Sequence, residues 1–220
     1  RLSVRTVGGA TARPLVDDGG TLTSFHLPRW SPNGKLVAFL GSGSQGSAVY
    51  VVDSEGGTPI RVISRAIIDL CWTPDGRALT YVVVEGDTIN VYTAGIEDGH
   101  ERKIMHVLYY WLLKLGGYSP DGRWLAYEYT QLGHEDYDTD IWVVPSSGGE
   151  AHQITFSPGL DADPTWAPDG GAIYFVSAGS SEVKRYSDSD DANIWKVDVD
   201  LQSGTAVGEP PGAARGQTRR

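Results

Sequence analysis

The sequence predicts an all-β fold, a β-propeller built from four-stranded antiparallel blades, and two observations carry this prediction. The first is a motif of an aromatic residue, Ser, Thr or Ala, Pro, Asp or Asn, and Gly, which recurs four times. The motifs begin at Trp30, Trp72, Tyr118 and Trp166, at spacings of 42, 46 and 48 residues. A period in the forties with strand-like sequence between turns is typical of propeller blades. The second observation is that apolar residues recur in fixed columns after each motif, which a β-sandwich with regular turns does not explain.

Each part of the motif has a physical role. Proline followed by Asp or Asn and then Gly favours a tight turn, because Gly tolerates a positive φ. A strand with period-2 patterning begins two residues after each Gly. One column on that strand contains Val37, Leu79, Leu125 and Ile173, and the column two residues later contains Phe39, Tyr81, Tyr127 and Phe175. We expect these columns, together with the four motif aromatics, to form the core.

The remaining strands follow in each unit. Third strands are predicted at 49–52, 89–92, 141–144 and 194–197, and fourth strands include 60–63 and 152–155. Glycine turns at 55–57, 98–99 and 147–149 join them. The residues before each motif, such as 67–70, supply the first strand. Four antiparallel strands in about 45 residues make one blade.

The predicted domain organisation is a propeller segment over residues 1–208 and a flexible Pro/Gly/Arg tail over 209–220. Residues 1–19 match the outer half of a blade, and full blades are expected at 20–64, 65–106, 107–156 and 157–208. We expect about four and a half blades in an incomplete ring, which either a longer protein or pairing with a second copy of the chain would complete. Unpaired strand edges in an open ring invite self-association.

The composition of the chain excludes some classes of binding partner and site. A net charge of −10 argues against nucleic acid and against an anionic membrane surface, and it favours basic proteins or cations. The single cysteine, Cys71, excludes an internal disulfide and a CxxC metal pair. No apolar run approaches the ~18 residues of a membrane span.

The four units resemble the WD40-like repeat of TolB-type propellers. The same repeat occurs in propellers of the tricorn protease and of prolyl oligopeptidase-type serine peptidases. Residues 118–127, continuing to 140–149, are especially similar to the family pattern. The resemblance covers nearly the whole chain and implies the fold. It implies less about function, because propellers support many unrelated activities. A TolB-like role would place the protein in the periplasm or outside the cell, whereas tricorn-like relatives act in the cytosol.

The candidate binding face is the one formed by first strands and by loops from second to third strands. Two of these loops are long, because the gaps from motif Gly to third strand at 122–141 and 170–194 exceed those of the other blades. Long loops on one face are where binding usually occurs. Tyr110 and Trp111 lie outside the shared columns, either as a recognition patch at the channel mouth or as packed strand residues. The binding-face candidates are His26, Asp69, Tyr110, Trp111, His134, Glu135, Asp161, Asp163, Asp188 and Asp190.

Three kinds of motif bear on whether the chain carries chemistry of its own. Asp136, Asp138 and Asp140 have the D-x-D-x-D spacing of a calcium loop, but the Gly and Glu that such a loop requires are missing, so an exposed acidic loop is the alternative. Residues 41–46 match G-x-G-x-x-G, but a strand follows them where nucleotide binding needs a helix. No G-x-S-x-G elbow and no H-E-x-x-H motif is present in the sequence, so no catalytic residue is assigned.

Three functions remain open. The first is a non-catalytic scaffold that binds a protein or peptide, possibly basic, through an acidic loop face. The second is a substrate-gating propeller of a larger serine peptidase. The third is a metal-dependent lyase that would use His26 and His134.

Overall fold

The computed structural model describes residues 2–17, 19–108, 112–133, 136–157, 159–177 and 193–208, with the backbone alone at 131–133 and 136–138. The described part contains eighteen β-strands. They are β1 (Ser3–Val4), β2 (Arg13–Pro14), β3 (Leu22–Trp30), β4 (Leu36–Gly43), β5 (Gly46–Asp53), β6 (Ile60–Ile63), β7 (Asp69–Trp72), β8 (Ala78–Glu85), β9 (Thr88–Gly95), β10 (Glu101–Leu108), β11 (Leu113–Tyr118), β12 (Trp124–Gly133), β13 (Asp136–Pro145), β14 (His152–Gln153), β15 (Asp161–Trp166), β16 (Ala172–Ser177), β17 (Asn193–Asp200) and β18 (Thr205–Ala206). No helix in this described part is long and apolar enough to cross a membrane.

The strands form four sheets of four strands and one sheet of two. The four-stranded sheets have the orders β3-β4-β5-β6, β7-β8-β9-β10, β11-β12-β13-β14 and β15-β16-β17-β18, and β1 pairs with β2. Each strand lies beside its neighbour in sequence, because short turns join antiparallel strands. These sheets are the blades that the repeat predicts, and the all-β fold class is confirmed. The fourth strand of the last blade is β18, which pairs with β17 through Val199 and Ala206.

The Pro-Asp-Gly turns have one hydrogen-bond pattern. In the second blade the Gly76 N–H donates to the Thr73 carbonyl at 2.9 Å, and the Arg77 N–H donates to Asp75 Oδ1 at 3.0 Å. The Thr73 hydroxyl donates to the same carboxylate oxygen at 2.6 Å. The hydroxyl and then the Arg77 N–H lower the pKa of Asp75. In the turns that begin at residues 31, 119 and 167, the glycine N–H likewise donates to the carbonyl of the first turn residue.

Chain contacts divide the protein into two compact units, Arg1–Val84 with Val91–Arg102, and Glu85–Asn90 with Lys103–Arg220. The first unit has two apolar clusters. One packs Val37 and Phe39 against Leu15, and the other joins the opposite face of the same sheet to the next sheet. The second unit has a cluster in which β12 and β13 pack on β16 and β17. It contains the last-blade members of both predicted columns, since Ile173 is fully buried and Phe175 is 2% exposed.

The prediction that all four motif aromatics are core residues is wrong for Trp30. Trp72 is 7% exposed and its indole N–H donates to the Arg29 carbonyl of β3 at 2.9 Å, whereas Trp30 is 51% exposed. The difference follows from the neighbouring sheet. In the described part of the first unit, the sheet preceding β3 consists of β1 and β2, which correspond to third and fourth strands. Trp30 therefore has no first strand to pack on in that sheet.

The long loop expected between the second and third strands of the 118–145 unit is also wrong. Strand β12 extends to Gly133 and β13 begins at Asp136, and their register continues to the pair of Gly133 with Asp136. Asp136, Asp138 and Asp140 therefore lie in strand β13. The glycine-rich segment at 41–46 is a tight hairpin as well, with Gly43 paired to Gly46. Much of the second loop, 170–194, lies outside the described residues.

Candidate functional site

Two first strands are bent at the same position of the repeat. The register of β3 and of β15 shifts by a β-bulge a few residues before the motif tryptophan. Within each bulge, three residues before that tryptophan, stands a non-glycine residue with positive φ, Leu27 at 52° and Asp163 at 51°. Such a conformation costs on the order of 1–3 kcal/mol and persists only where the surroundings impose it. Bulges re-aim side chains and are frequent beside functional sites.

The surroundings of Asp163, in the second unit, show what imposes this conformation. The Asp163 N–H donates to Glu128 Oε2 at 2.7 Å. The next residue, Pro164, is buried and lies against Gly116 of β11, where an added Cβ would stand 2.5 Å from the proline ring. The bulge is thus held from two sides. Asp163 itself is exposed, so its position is fixed while the residue remains accessible to solvent.

Glu128 is the buried partner that makes this arrangement possible. It is 3% exposed, and Lys114 Nζ lies 3.1 Å from its Oε1. Burial raises the pKa of Glu128, while the hydrogen bond from Asp163 and the charge of Lys114 act in the opposite direction. A buried carboxylate is tolerated where a cation and hydrogen-bond donors compensate for its lost hydration. Lys114 and Glu128 therefore form a neutralised support beneath Asp163.

Of the other predicted residues in the second unit, Asp161 is fully buried in β15. Asp140 is 4% exposed, and its carboxylate accepts hydrogen bonds from Gln153 Nε2 at 2.7 Å and from the Thr155 hydroxyl at 3.3 Å. These bonds connect β13 with β14 and the residues that follow β14. Asp136 and Asp138 lie on β13, and their side chains are outside the description. Among the residues with described side chains, no three His, Cys, Asp or Glu are grouped to hold a metal.

Two predicted residues lie in the first unit. His26 is exposed on β3. Asp69 is 4% exposed, and Arg29 Nη2 donates to its Oδ1 at 3.2 Å. The same oxygen accepts the Leu70 N–H at 2.8 Å. Because Arg29 also donates to the Leu70 carbonyl, Asp69 serves to connect β3 with β7 rather than to face a partner.

The remaining binding-face candidates lie outside the described residues. They are Tyr110, Trp111, His134, Glu135, Asp188 and Asp190.

Sequence reasoning missed Lys114 and Glu128, although a signal for Glu128 was present. Glu128 stands ten residues after its motif aromatic, and the same position holds Leu40, Val82 and Val176 in the other blades. A charged residue in an otherwise apolar column indicates a buried ion pair or a functional residue. No such pattern in the sequence distinguishes Lys114, because its role depends on its ion pair with Glu128.

Comparisons with known proteins agree with this architecture. The sequence model of the TolB beta propeller domain matches residues 70–203, more than half of the chain. The uncharacterized protein Atu1656 of Agrobacterium fabrum is 30% identical over 205 residues, which are 89% of this chain and 65% of that protein. The uncharacterized peptidase YuxL of Bacillus subtilis is 29% identical over 174 residues, 76% of this chain and 24% of the peptidase.

A solved structure agrees as well. The structure of a putative TolB from Agrobacterium tumefaciens has a TM-score of 0.65 at 26% identity and covers 91% of this chain and 69% of its own. The chain spans less than two thirds of the length of Atu1656 and of YuxL. The match of the repeat motifs, the four-stranded sheets and the family model together establish that the chain belongs to the TolB β-propeller domain family.

Proposed function

We propose that this chain is a non-catalytic, TolB-like binding scaffold that recognises a cationic group of a protein or peptide through Asp163. The single observation that carries the proposal is the fixed conformation of this exposed carboxylate, at a φ of 51° and with its N–H bonded to buried Glu128. A strained but well-supported residue is a common feature of ligand sites. A residue already fixed before binding loses little conformational freedom when a partner arrives.

The charge of the site favours a cationic partner. Lys114 lies against Glu128, so the positive charge beneath the bulge is already matched, and Asp163 adds a negative charge. The chain as a whole carries a net charge of −10. Long-range attraction by that charge should raise the rate at which basic partners associate, and salt should weaken it. We extend the family resemblance to the place of action and propose the periplasm or the cell exterior.

The test is a binding titration with a fluorescein-labelled oligolysine peptide and a matched oligoglutamate peptide. We expect Asp163→Asn to weaken oligolysine binding roughly tenfold, since a hydrogen bond to a charged group contributes about 1.5 kcal/mol. The matched control is Asp169→Asn, which removes the same charge from the same blade at its Pro-Asp-Gly turn. Asn33 occupies the equivalent turn position in the first blade, so asparagine fits there.

Equal affinity of the Asp163→Asn and Asp169→Asn variants would refute the proposed role of Asp163. Affinity that does not fall with salt would refute the electrostatic basis of binding.

A second candidate is a propeller that filters substrates for a serine peptidase. The observation that favours it is the similarity to the peptidase YuxL, of which this chain spans 24%. The discriminating test is to read the complete gene for an α/β-hydrolase domain with a G-x-S-x-G elbow and to assay the complete protein for peptide hydrolysis. A complete gene that encodes no such domain would leave the scaffold as the better explanation.

A further inference from the structure

A surface cavity of about 340 Å³, open to solvent, lies in the first unit, whereas Asp163 belongs to the second unit. One wall is formed by Asp17, Gly19, Thr21 and Leu22, at and before the start of β3. The other wall is β5 with the turn that follows it. Its lining includes Asp17, Thr21, Leu22, Tyr50, Thr58 and Pro59. The volume is within the range of ligand-binding clefts, which are about 300–1,000 Å³.

Backbone hydrogen bonds fix the two walls to each other. The Asp17 N–H donates to the Gly57 carbonyl at 2.9 Å, and the Gly57 N–H donates to the Leu15 carbonyl at 2.9 Å. These bonds form a parallel bridge between Val16 and Gly57. Arg13 reinforces the bridge, since its Nη2 donates to the Ser54 carbonyl at 2.8 Å. The cavity is therefore formed before any ligand enters.

The aromatic surface of the cavity is held in place too. The ring of Tyr50 stacks on Phe39 with centroids 5.7 Å apart and an interplanar angle of 18°. The ring also lies close to Gly41, where an added Cβ would stand 3.0 Å from the ring carbon Cδ2 of Tyr50. The equivalent positions in the other blades are Val83, Tyr129 and Ser177. The glycine in the first blade leaves the space that the Tyr50 ring requires.

The lining has the chemistry of a cation site. Among the described residues that line it are one carboxylate, at Asp17, an aromatic ring, at Tyr50, and the hydroxyls of Thr21 and Thr58, and none of these described residues is Lys, Arg or His. Leu22 and Pro59 add apolar surface. A carboxylate and hydroxyl oxygens accept hydrogen bonds from an ammonium group, which carries three donors. An aromatic ring and apolar side chains accommodate an alkyl chain that ends in such a cation.

We propose that this cavity binds a primary ammonium group on an alkyl chain, as on a lysine side chain of a partner. Asp17 accepts the ammonium group, and Tyr50, Leu22 and Pro59 contact the methylene groups. The proposal adds a second cation site to the scaffold and does not depend on Asp163. A basic partner that binds at both sites would gain affinity from the linkage between them.

The test uses Nα-acetyl-lysine methylamide as the probe, followed by NMR chemical-shift changes of the intact chain. We expect saturable shifts at Tyr50 and Thr58. The analogue with norleucine in place of lysine lacks the ammonium group and should bind roughly tenfold more weakly or not at all. The Asp17→Asn variant should lose affinity for the lysine probe to a similar extent.

A control variant keeps the outcome decisive. Asp53→Asn removes an exposed carboxylate from β5 that does not line the cavity, and its amide oxygen can still accept the Glu55 N–H as Asp53 does. We expect this variant to give the same shifts at Tyr50 and Thr58 as the parent protein does. The Asp17 side chain can be changed without loss of the bridge, because the bridge uses its backbone N–H.

Equal binding of the norleucine and lysine probes, unchanged affinity of Asp17→Asn, or no saturable shifts would each overturn the ammonium site. Loss of oligolysine binding in Asp163→Asn with intact binding of the lysine probe would support both sites separately. The opposite pattern, with Asp163→Asn harmless and Asp17→Asn damaging, would refute the proposed function and leave the cavity proposal standing.

Discussion

Two neighbouring sheets of the second unit present the same face in very different surroundings. We use the name forward face for the face of each sheet that carries the residues eight and ten positions after the motif aromatic. On β12 and β13 this face contains Ala126, Ile141 and Val143, each of them fully buried against β16 and β17. The equivalent residues of the last sheet are Tyr174, Ile194 and Lys196. Tyr174 is 39% exposed and Ile194 is 79% exposed.

The register shows that these positions are equivalent. Ala126 pairs with Val143 across β12 and β13, and Tyr174 pairs with Lys196 across β16 and β17. In the last sheet Lys196 forms a 2.7 Å ion pair with Asp198. The position that holds Val143 in the covered sheet therefore holds Lys196 in the last sheet. No sheet among the described residues covers the forward face there. The comparison teaches that the repeat fixes the position of a side chain, whereas the neighbouring sheet fixes whether it is buried.

The largest expected effect comes from exchanging the residues of the two faces. Val143→Lys places a charge in a buried site with no partner, and we expect it to cost on the order of 3–5 kcal/mol in the free energy of unfolding. Lys196→Val should leave the midpoint of urea unfolding unchanged. Urea denaturation of both variants measures the difference. Equal losses of stability would mean that both forward faces are covered in solution.

A smaller effect is expected from truncating one isoleucine on each face. Ile141→Ala removes methylene groups from a fully buried site and should cost about 2–5 kcal/mol. Ile194→Ala, at a residue that is 79% exposed, should cost less than about 0.5 kcal/mol. The same urea titrations provide the values. A large loss for Ile194→Ala would indicate that another copy of the chain packs on this face, and the loss should then depend on protein concentration.

The smallest effect concerns the one acidic residue of the covered forward face. Burial raises the pKa of Glu128 above its ordinary value of 4.5. The folded state therefore binds more protons than the unfolded state above pH 4.5, and the free energy of unfolding falls as the pH rises towards the raised pKa. We expect Glu128→Gln to flatten this part of the pH profile, measured by urea unfolding from pH 4.5 to neutrality. Parallel profiles for the two proteins would contradict the assigned burial.

Much of the fold was predictable because it depends on local patterns. The Pro-Asp-Gly motif specifies a turn through hydrogen bonds among neighbouring residues, such as those of Thr73 and Asp75, and these do not require a distant partner. The columns of Leu125 and Tyr127 follow from the alternation of side chains along a strand. The strand β6 was predicted with its observed ends, Ile60 and Ile63.

The candidate site was predictable only in part. The repeat places Asp163 in a first strand, but its positive φ and its bond to Glu128 do not follow from the sequence. The same pattern predicts Asp69 as a binding-face residue, and the structure makes it a buried partner of Arg29. The two aspartates occupy the same position relative to their motif tryptophans, so the repeat cannot distinguish them. The difference arises from which side chain of the neighbouring strand reaches each one.

By itself the sequence determined the sheets, their turns and the two apolar columns of each second strand. These features depend on periodicity and on short-range hydrogen bonds. Only the tertiary structure decided that Trp30 is exposed while Trp72 is buried, that the acidic run at 136–140 continues a strand, and that Asp163 is a supported, accessible carboxylate. The physical reason is that burial and ion pairing depend on the sheet packed alongside. The pattern within one blade does not specify that neighbour.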